Sequence, residues 1–271
     1  MNKTDYTKYL IICLLIGGFF YVFSMNKKVN TLEKTVTDMK NTVLGDSSTK
    51  KDDNQNNKEG KTTVDIEAIK DAFNKAYIKF GSADNKLVAL EISDPSCPYC
   101  NIAGGKNNEL NIKSGAFKLV EDGGTYIAPA VELKKLLDQG KISFALIYMN
   151  GHNAGEMGMK ALYCAYDAGK FWEANDLLMS AEGYALINEK VRNSKEASGE
   201  LSKFLSSAVD ENTMKECLDS GKFDQRLIDD QKLAASLGVR GTPSFFINDI
   251  NYGGAYNYAD MQSTVDKILS N

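Results

Sequence analysis

The chain has 271 residues, 43% of them hydrophobic and 25% charged, with a formal net charge of −4. Such a composition suits one globular domain of about 200 residues with appendages, and the slight acidity excludes any charge-based case for nucleic-acid binding. Five cysteines are compatible with an oxidising compartment without requiring one.

Tyr9 to Met25 is an uncharged apolar run of 17 residues, at the short end of what spans a bilayer. No small-x-small cleavage site follows it, so an uncleaved anchor is the better reading than a removed signal peptide. Lys3 and Lys8 precede the run and Lys27 and Lys28 follow it, which leaves the positive-inside bias nearly balanced. The short N-terminal tail and long C-terminal part place the domain outside the cell membrane. Cys13 reads as a small apolar residue within the span.

Val29, Leu32, Val36, Met39 and Val43 make a heptad seam of about two heptads, a short helical stalk or a weak dimerisation segment. Gly45 to Lys61 has no hydrophobic residue and reads as a solvated tether. Asp65 to Phe80 places Ile66, Ile69, Phe73, Tyr77 and Phe80 on one helical face, with Gly81 as its stop.

Leu87 to Ile92 then reads as a buried strand, followed by the turn Ser93-Asp94-Pro95-Ser96 and by Cys97-Pro98-Tyr99-Cys100. A strand that delivers Cys-x-x-Cys to the start of a helix is a thioredoxin-type dithiol pattern. Unsatisfied N–H groups at a helix start favour a thiolate, which makes Cys97 the attacking sulfur. Cys100, one turn on, is placed to close a disulfide with it. Pro98 suits the first helical turn, where its missing N–H costs nothing. A zinc site would need a second pair of ligands, and Cys13, Cys164, Cys217 and the single histidine, His152, are scattered. No cofactor or resident metal is expected.

Gly104-Gly105 interrupts the helix after the dithiol, and Asn107 to Gly124 reads as an insertion, either a client-specific flap or a decorated loop. Pro129 to Leu137 reads as a helix and Ile142 to Met149 as a buried strand of a βαβ crossover. Glu156 to Gly221 is helical by pattern. Cys164 and Cys217 each lie near a helix end, five and four residues before Gly169 and Gly221. They are expected to pair as a structural disulfide, the alternative being two buried free thiols. His152, in a turn, is assigned no catalytic role. A helix through Leu227, Ile228, Leu233 and Leu237, stopped by Gly238, leads to Gly241-Thr242-Pro243 and a strand at Ser244 to Ile247. A proline at such a junction reads as either cis, with a specific job, or an ordinary trans residue at a strand start. Tyr252-Gly253-Gly254 reads as the turn of a second strand, and Tyr258 to Leu269 as a closing helix.

Taken together, Asp94-Pro95-Ser96-Cys97-Pro98-Tyr99-Cys100, the segment Cys164 to Trp172, the segment Leu237 to Asn248 and Glu91 resemble the DsbA-like branch of the thioredoxin superfamily. That resemblance implies an α/β, thioredoxin-like fold with a helical insertion at about 154–222. The domain division is then an anchor at 1–25, a stalk and linker at 26–62, and a DsbA-like domain at 63–271. It further implies a cis Pro243 facing the dithiol, with Thr242 offering backbone hydrogen bonds to an extended client peptide, and Pro98 and Tyr99 beside the bound client. Glu91 stands where the family often has a buried acid; such a carboxyl could shuttle the Cys100 proton, or could simply face solvent.

The implied activity is thiol–disulfide exchange on cysteine-containing secreted or envelope proteins, from a membrane-anchored extracytoplasmic domain served by a membrane redox partner. Oxidase, isomerase and reductase remain open at this point. So do a non-catalytic client-binding module and a metal chaperone that holds Cu(I) or Zn(II) on the dithiol.

Overall fold

The computed structural model describes residues 61–270. The expected anchor at Tyr9–Met25, Cys13, the 29–43 seam and most of the linker lie outside the described residues. Among the described residues no helix is long and apolar enough to cross a membrane.

Six strands form one sheet: β1 (Lys61–Thr63), β2 (Ile78–Phe80), β3 (Val88–Ser93), β4 (Ser143–Tyr148), β5 (Ser244–Ile247) and β6 (Ile250–Gly253). Their order is β1-β6-β5-β3-β4-β2. Only β3 and β4 run parallel; the other neighbours are antiparallel. Every residue of β3 and β4 is buried. Central strands covered on both faces read as continuous apolar runs rather than alternating ones, and this is why both were legible.

Two expectations need correction. The helix expected over Asp65 to Phe80 spans only Ile66–Lys75, and Ala76 turns the chain into extended conformation. Ile78 to Phe80 instead pairs antiparallel with β4 as the edge strand β2. A short apolar run such as Tyr77-Ile78-Lys79-Phe80 satisfies both periods, and pairing with β4 decided the matter. Gly81 therefore ends a strand rather than a helix: it has φ +90°, and a Cβ there would lie 2.2 Å from Ser143 Oγ. The second correction concerns the linker, whose last residues Lys61 and Thr62 pair with Tyr252 and Asn251 of the β5–β6 hairpin.

One face of the sheet, carrying Val88, Leu90, Ile92, Ala145, Ile147 and Phe246, is covered by the helix Ile66–Lys75 through Ile69 and Phe73 and by the helix Asp224–Ser236 through Leu233. The other face, with Phe144, Leu146, Tyr148, Phe245 and Ile247, packs on the helical insertion and on the C-terminal helix Tyr258–Ser270. The insertion consists of Glu156–Asp167, Phe171–Leu178, Ala181–Ala185, Ser198–Phe204 and Glu211–Ser220, with a π-helical stretch at Leu186–Val191. Asp230, fully buried, joins these layers. It pairs with Arg226 and accepts hydrogen bonds from the Tyr163 hydroxyl (2.5 Å) on the insertion and from the Tyr148 N–H (3.1 Å) on β4.

Cys164 and Cys217 form a disulfide, with Cα atoms 6.1 Å apart and a sequence separation of 53. It links the first and last helices of the insertion, as the pattern predicted. Closing a loop of that length contributes about 4 kcal/mol in the chain-entropy model. A Cys164→Ala/Cys217→Ala variant is therefore expected to unfold at clearly lower denaturant than the parent, with a stability loss of about 4 kcal/mol. An unchanged midpoint would show that packing alone holds the insertion.

Candidate active site

β3 ends at Ser93, and the chain turns through Asp94-Pro95-Ser96 into the helix Pro98–Gly104, with Cys97 as its N-cap residue in extended conformation. The turn is held by a buried carboxylate. Asp94 Oδ1 accepts from the Ser96 N–H (2.8 Å) and hydroxyl (2.7 Å), and Oδ2 accepts from the N–H groups of Gly151 (2.7 Å) and His152 (2.9 Å). Asp94 thereby fastens the loop after β4 to the dithiol turn, and His152 contributes its backbone to that tie.

Three glycines let these segments close. A Cβ on Gly155 would lie 1.8 Å from Asp94 Oδ1, one on Gly151 would lie 2.0 Å from Thr242 Oγ1, and one on Gly158 would lie 3.1 Å from Pro95 Cβ. Gly151 is thus the contact between the Asp94 tie and the Thr242-Pro243 segment. The Thr242–Pro243 peptide bond is cis. Cys97 Sγ lies 3.5 Å from the Thr242 carbonyl oxygen, to which its thiol donates. The structure therefore brings Cys97, Cys100 and the cis Thr242–Pro243 segment together.

The two cysteines, both free thiols, have opposite surroundings. Cys97 is lowered from 9.0 to about 6, first by a hydrogen bond from the Cys100 thiol. Burial opposes this, while Thr242 and the N–H groups of Cys100 and Tyr99 add to it. Cys100 is fully buried, and burial pushes it well above the ordinary thiol value, as does the neighbouring Cys97. Within the dithiol, Pro98 is half-buried and Tyr99 is 52% exposed. The Tyr99 ring meets Phe117 edge-on at 6.1 Å, and Phe117 meets Tyr126 at 5.2 Å.

Glu91 lies in mid-strand between Leu146 of β4 and Phe245 of β5 and is 5% exposed. The solvent-facing alternative is therefore excluded, and burial raises its carboxyl from 4.5 to about 7. The insertion after the dithiol folds as a short helix, Asn108–Lys113, and a single 3-10 turn, Val120–Asp122. It packs through Leu119 and Tyr126 on Ile102 of the dithiol helix.

Sequence reading left three polar residues without a role. The Asn101 carboxamide donates to the carbonyls of Pro95 (3.0 Å) and Cys97 (3.2 Å). Asn188, from the insertion, donates to the carbonyl of Ser96 at 3.2 Å. Asp94 is the third, and Asp-Pro-Ser after a strand is a recognisable side-chain-capped turn. Nothing local in the sequence announces Asn188, because its partner is 92 residues away.

Two outcomes follow from these environments. Ultraviolet thiolate absorbance of the reduced domain is expected to rise with a midpoint near pH 6, and Cys97→Ser to remove that step. A midpoint near the ordinary thiol value would show that the dithiol turn stabilises no thiolate. For Glu91 the folded value lies above the unfolded one, so its stability contribution is present below pH 4.5 and is lost as pH rises to about 7. Glu91→Gln is expected to abolish that pH dependence and to stabilise the domain at pH 8 by up to about 3 kcal/mol in denaturant titrations.

Comparison with known proteins agrees with this architecture. A family model described as Thioredoxin matches residues 130–267, just over half of the chain, beginning after the dithiol. Among solved structures, oxidised BdbD from Bacillus subtilis is 19% identical with a TM-score of 0.54, covering 73% of this chain and 95% of that one. The thiol-disulfide exchange protein alpha-DsbA2 from Wolbachia pipientis is 19% identical with a TM-score of 0.50, covering 75% and 95%. The reduced disulfide bond oxidoreductase DsbG from Mycobacterium tuberculosis is also 19% identical at 0.50, covering 70% and 82%. Among curated proteins, Na(+)/H(+) antiporter NhaA 3 from Salinispora tropica is 23% identical over 188 residues, 68% of this chain. NhaA 1 from Salinispora arenicola is 23% identical over 193 residues, 70% of this chain, and in both cases the match spans only 24% of the antiporter. With the parallel β3–β4 pair, the cis Thr242–Pro243 bond and the helical insertion, these likenesses converge: the chain belongs to the thioredoxin family and has a DsbA-like fold.

Proposed function

We propose that this protein is a thiol–disulfide oxidoreductase that introduces and exchanges disulfides in cysteine-containing client proteins through Cys97 and Cys100. The observation that carries this reading is the asymmetric placement of the dithiol: Cys97 caps the helix start against the cis Thr242–Pro243 segment, which goes with a thiol lowered to about 6, whereas Cys100 is fully buried and raised above the usual thiol range. A stabilised Cys97 thiolate stabilises the reduced form, which makes the disulfide form oxidising.

The steps balance as follows. A client thiolate attacks Cys97 Sγ of the Cys97–Cys100 disulfide; that bond breaks, and Cys100 leaves as a thiolate that takes up a proton. A second client thiolate attacks the client sulfur of the mixed disulfide and expels Cys97 as a thiolate. Two electrons have then passed from client to enzyme. Cys97 is the better leaving group because its thiolate is the more stable, and protonated Cys100 is a poor attacker of the mixed disulfide. Glu91, near neutrality in its own titration, is the group assigned to hold the proton exchanged with Cys100. Thr242 and Pro243 form the edge along which a client backbone lies, with Pro98 and exposed Tyr99 beside it.

The apolar run Tyr9–Met25 supports a single-pass anchor in a bacterial cytoplasmic membrane, with the domain outside and clients among secreted or envelope proteins. Catalytic turnover in this direction needs a membrane redox partner to reoxidise the dithiol. The 29–43 seam supports a weak dimer at most.

The test is the equilibrium reduction potential of the Cys97–Cys100 pair in glutathione buffers, together with trapping. The expected potential lies between about −120 mV and about −230 mV, and Cys100→Ser is expected to accumulate mixed disulfides with reduced protein clients. A value near about −270 mV would instead assign the protein as a reductant. A Cys100→Ser variant that captures no client would remove the oxidoreductase reading.

A further inference from the structure

The three peptide carbonyls that precede the dithiol helix, those of Pro95, Ser96 and Cys97, all accept hydrogen bonds from side-chain amides. Asn101 Nδ2 takes the first and third, at 3.0 and 3.2 Å. Asn188 Nδ2 takes the second, at 3.2 Å, and also donates to the Tyr184 carbonyl at 3.0 Å. The Ser96–Cys97 peptide is thus held from both ends, since the Cys97 N–H donates to the Asp94 carbonyl at 3.0 Å.

The arrangement has an electrostatic consequence. A carbonyl oxygen free to turn towards a sulfur anion repels it, whereas N–H groups attract it. With the three carbonyls occupied elsewhere, Cys97 Sγ is met by the N–H groups of Tyr99 and Cys100, the Cys100 thiol and, across the cleft, Thr242, whose carbonyl oxygen lies 3.5 Å away. Asn101 belongs to the dithiol helix itself and comes with it. Asn188 comes from the helical insertion, from a stretch that departs from α-helical geometry: Leu186–Val191 is a π-helix, in which the Arg192 N–H reaches the Ile187 carbonyl, five residues back, at 2.8 Å. Such stretches are uncommon and occur frequently at functional sites. Here the widened turn carries the residue that touches the active-site peptide. Tyr184, one turn earlier, is half-buried, and burial, with a smaller contribution from the Cys97 charge, raises its phenol.

We propose that Asn188 is a positioning residue by which the helical insertion sets the stability of the Cys97 thiolate. It acts by occupying the Ser96 carbonyl, and any movement of the Ala181–Val191 segment is thereby communicated to the dithiol. The titratable groups facing Cys97 are Cys100 on its own helix and Tyr184 on the insertion. This role rests on the exchange chemistry proposed above for Cys97.

The experiment compares Asn188→Ala and the near-isosteric Asn188→Leu with the parent and with Glu189→Ala, an exposed neighbour in the same turn. The full chain, reduced at the dithiol with Cys164–Cys217 intact, is titrated for thiolate absorbance and for its rate of alkylation by iodoacetamide. Both Asn188 variants are expected to raise the Cys97 midpoint by about half a unit to one unit, a threefold to tenfold change in its acid constant. Their dithiol potential is expected to become more negative, with Glu189→Ala unchanged. Asn188→Gln, which keeps the carboxamide donor, is expected to recover part of the shift. If both donorless variants fold and keep the parental midpoint, Asn188 is merely structural and the proposal is overturned. If Asn188→Ala fails to fold, Asn188→Leu alone decides the matter by the same criterion. A parental midpoint near the ordinary thiol value would count against the proposed redox function itself, an outcome distinct from failure of Asn188.

Discussion

The dithiol depends on a carboxylate taken wholly out of water. Asp94 is completely buried, and an ionised group in that position would be strongly destabilising if left unpaired. Four donors satisfy it: two from Ser96 and one each from Gly151 and His152. Meeting this demand fixes several things at once. The turn after β3 must take one shape, the loop after β4 must come up beside it, and Gly151 and Gly155 must lack side chains, because a Cβ at either would meet Thr242 or Asp94. The position of Cys97 at a helix start, against the Thr242 carbonyl, follows from those constraints.

From that seat the chemistry of the two cysteines diverges, although only Pro98 and Tyr99 separate them. Cys97 precedes the helix and receives the thiol of Cys100 and free backbone N–H groups. Cys100 is one turn inside and fully buried, where loss of water and the neighbouring Cys97 outweigh the hydrogen bonds that Ser93 and Thr242 offer a negative charge. Burial lowers neither thiol by itself; it is the placement of donors that lets Cys97 escape the penalty Cys100 bears. Glu91, on the central strand β3, is destabilised as an anion by the same lack of water, which outweighs a hydrogen bond from Ser93.

Two additions to the sheet shape the surroundings of this site in different ways. The segment after the dithiol helix builds a small core of its own, with Leu119, Tyr126 and Ala128 packed on Ile102, and Phe117 set against exposed Tyr99. The larger helical insertion shares the main core of the sheet and is cross-linked by Cys164–Cys217. It reaches the active-site turn through hydrogen bonds as well as packing: Asn188 to Ser96, and the Ala154 N–H to the Ser96 hydroxyl at 3.4 Å. An insertion packed on the sheet and covalently closed is a suitable body from which to hold a peptide in place.

The sequence by itself determined whatever is encoded in short range. The apolar runs of β3 and β4, the cysteine spacing with Pro98 at the helix start, the Gly-Thr-Pro junction before β5 and the glycine stops near Cys164 and Cys217 each have a local physical cause, and each was legible. Local pattern failed where two periods were equally satisfied, as at Tyr77 to Phe80, which only pairing with β4 made a strand. It failed again at Lys61 and Thr62, polar residues whose place in the sheet comes from the β5–β6 hairpin edge. The tertiary structure alone decided that Asp94 is a buried tie, that Glu91 faces inward, and that Asn188 touches the peptide before Cys97. Those facts depend on chain segments tens of residues apart arriving at one place, and hydrogen-bond partners at such separations leave no periodicity to read.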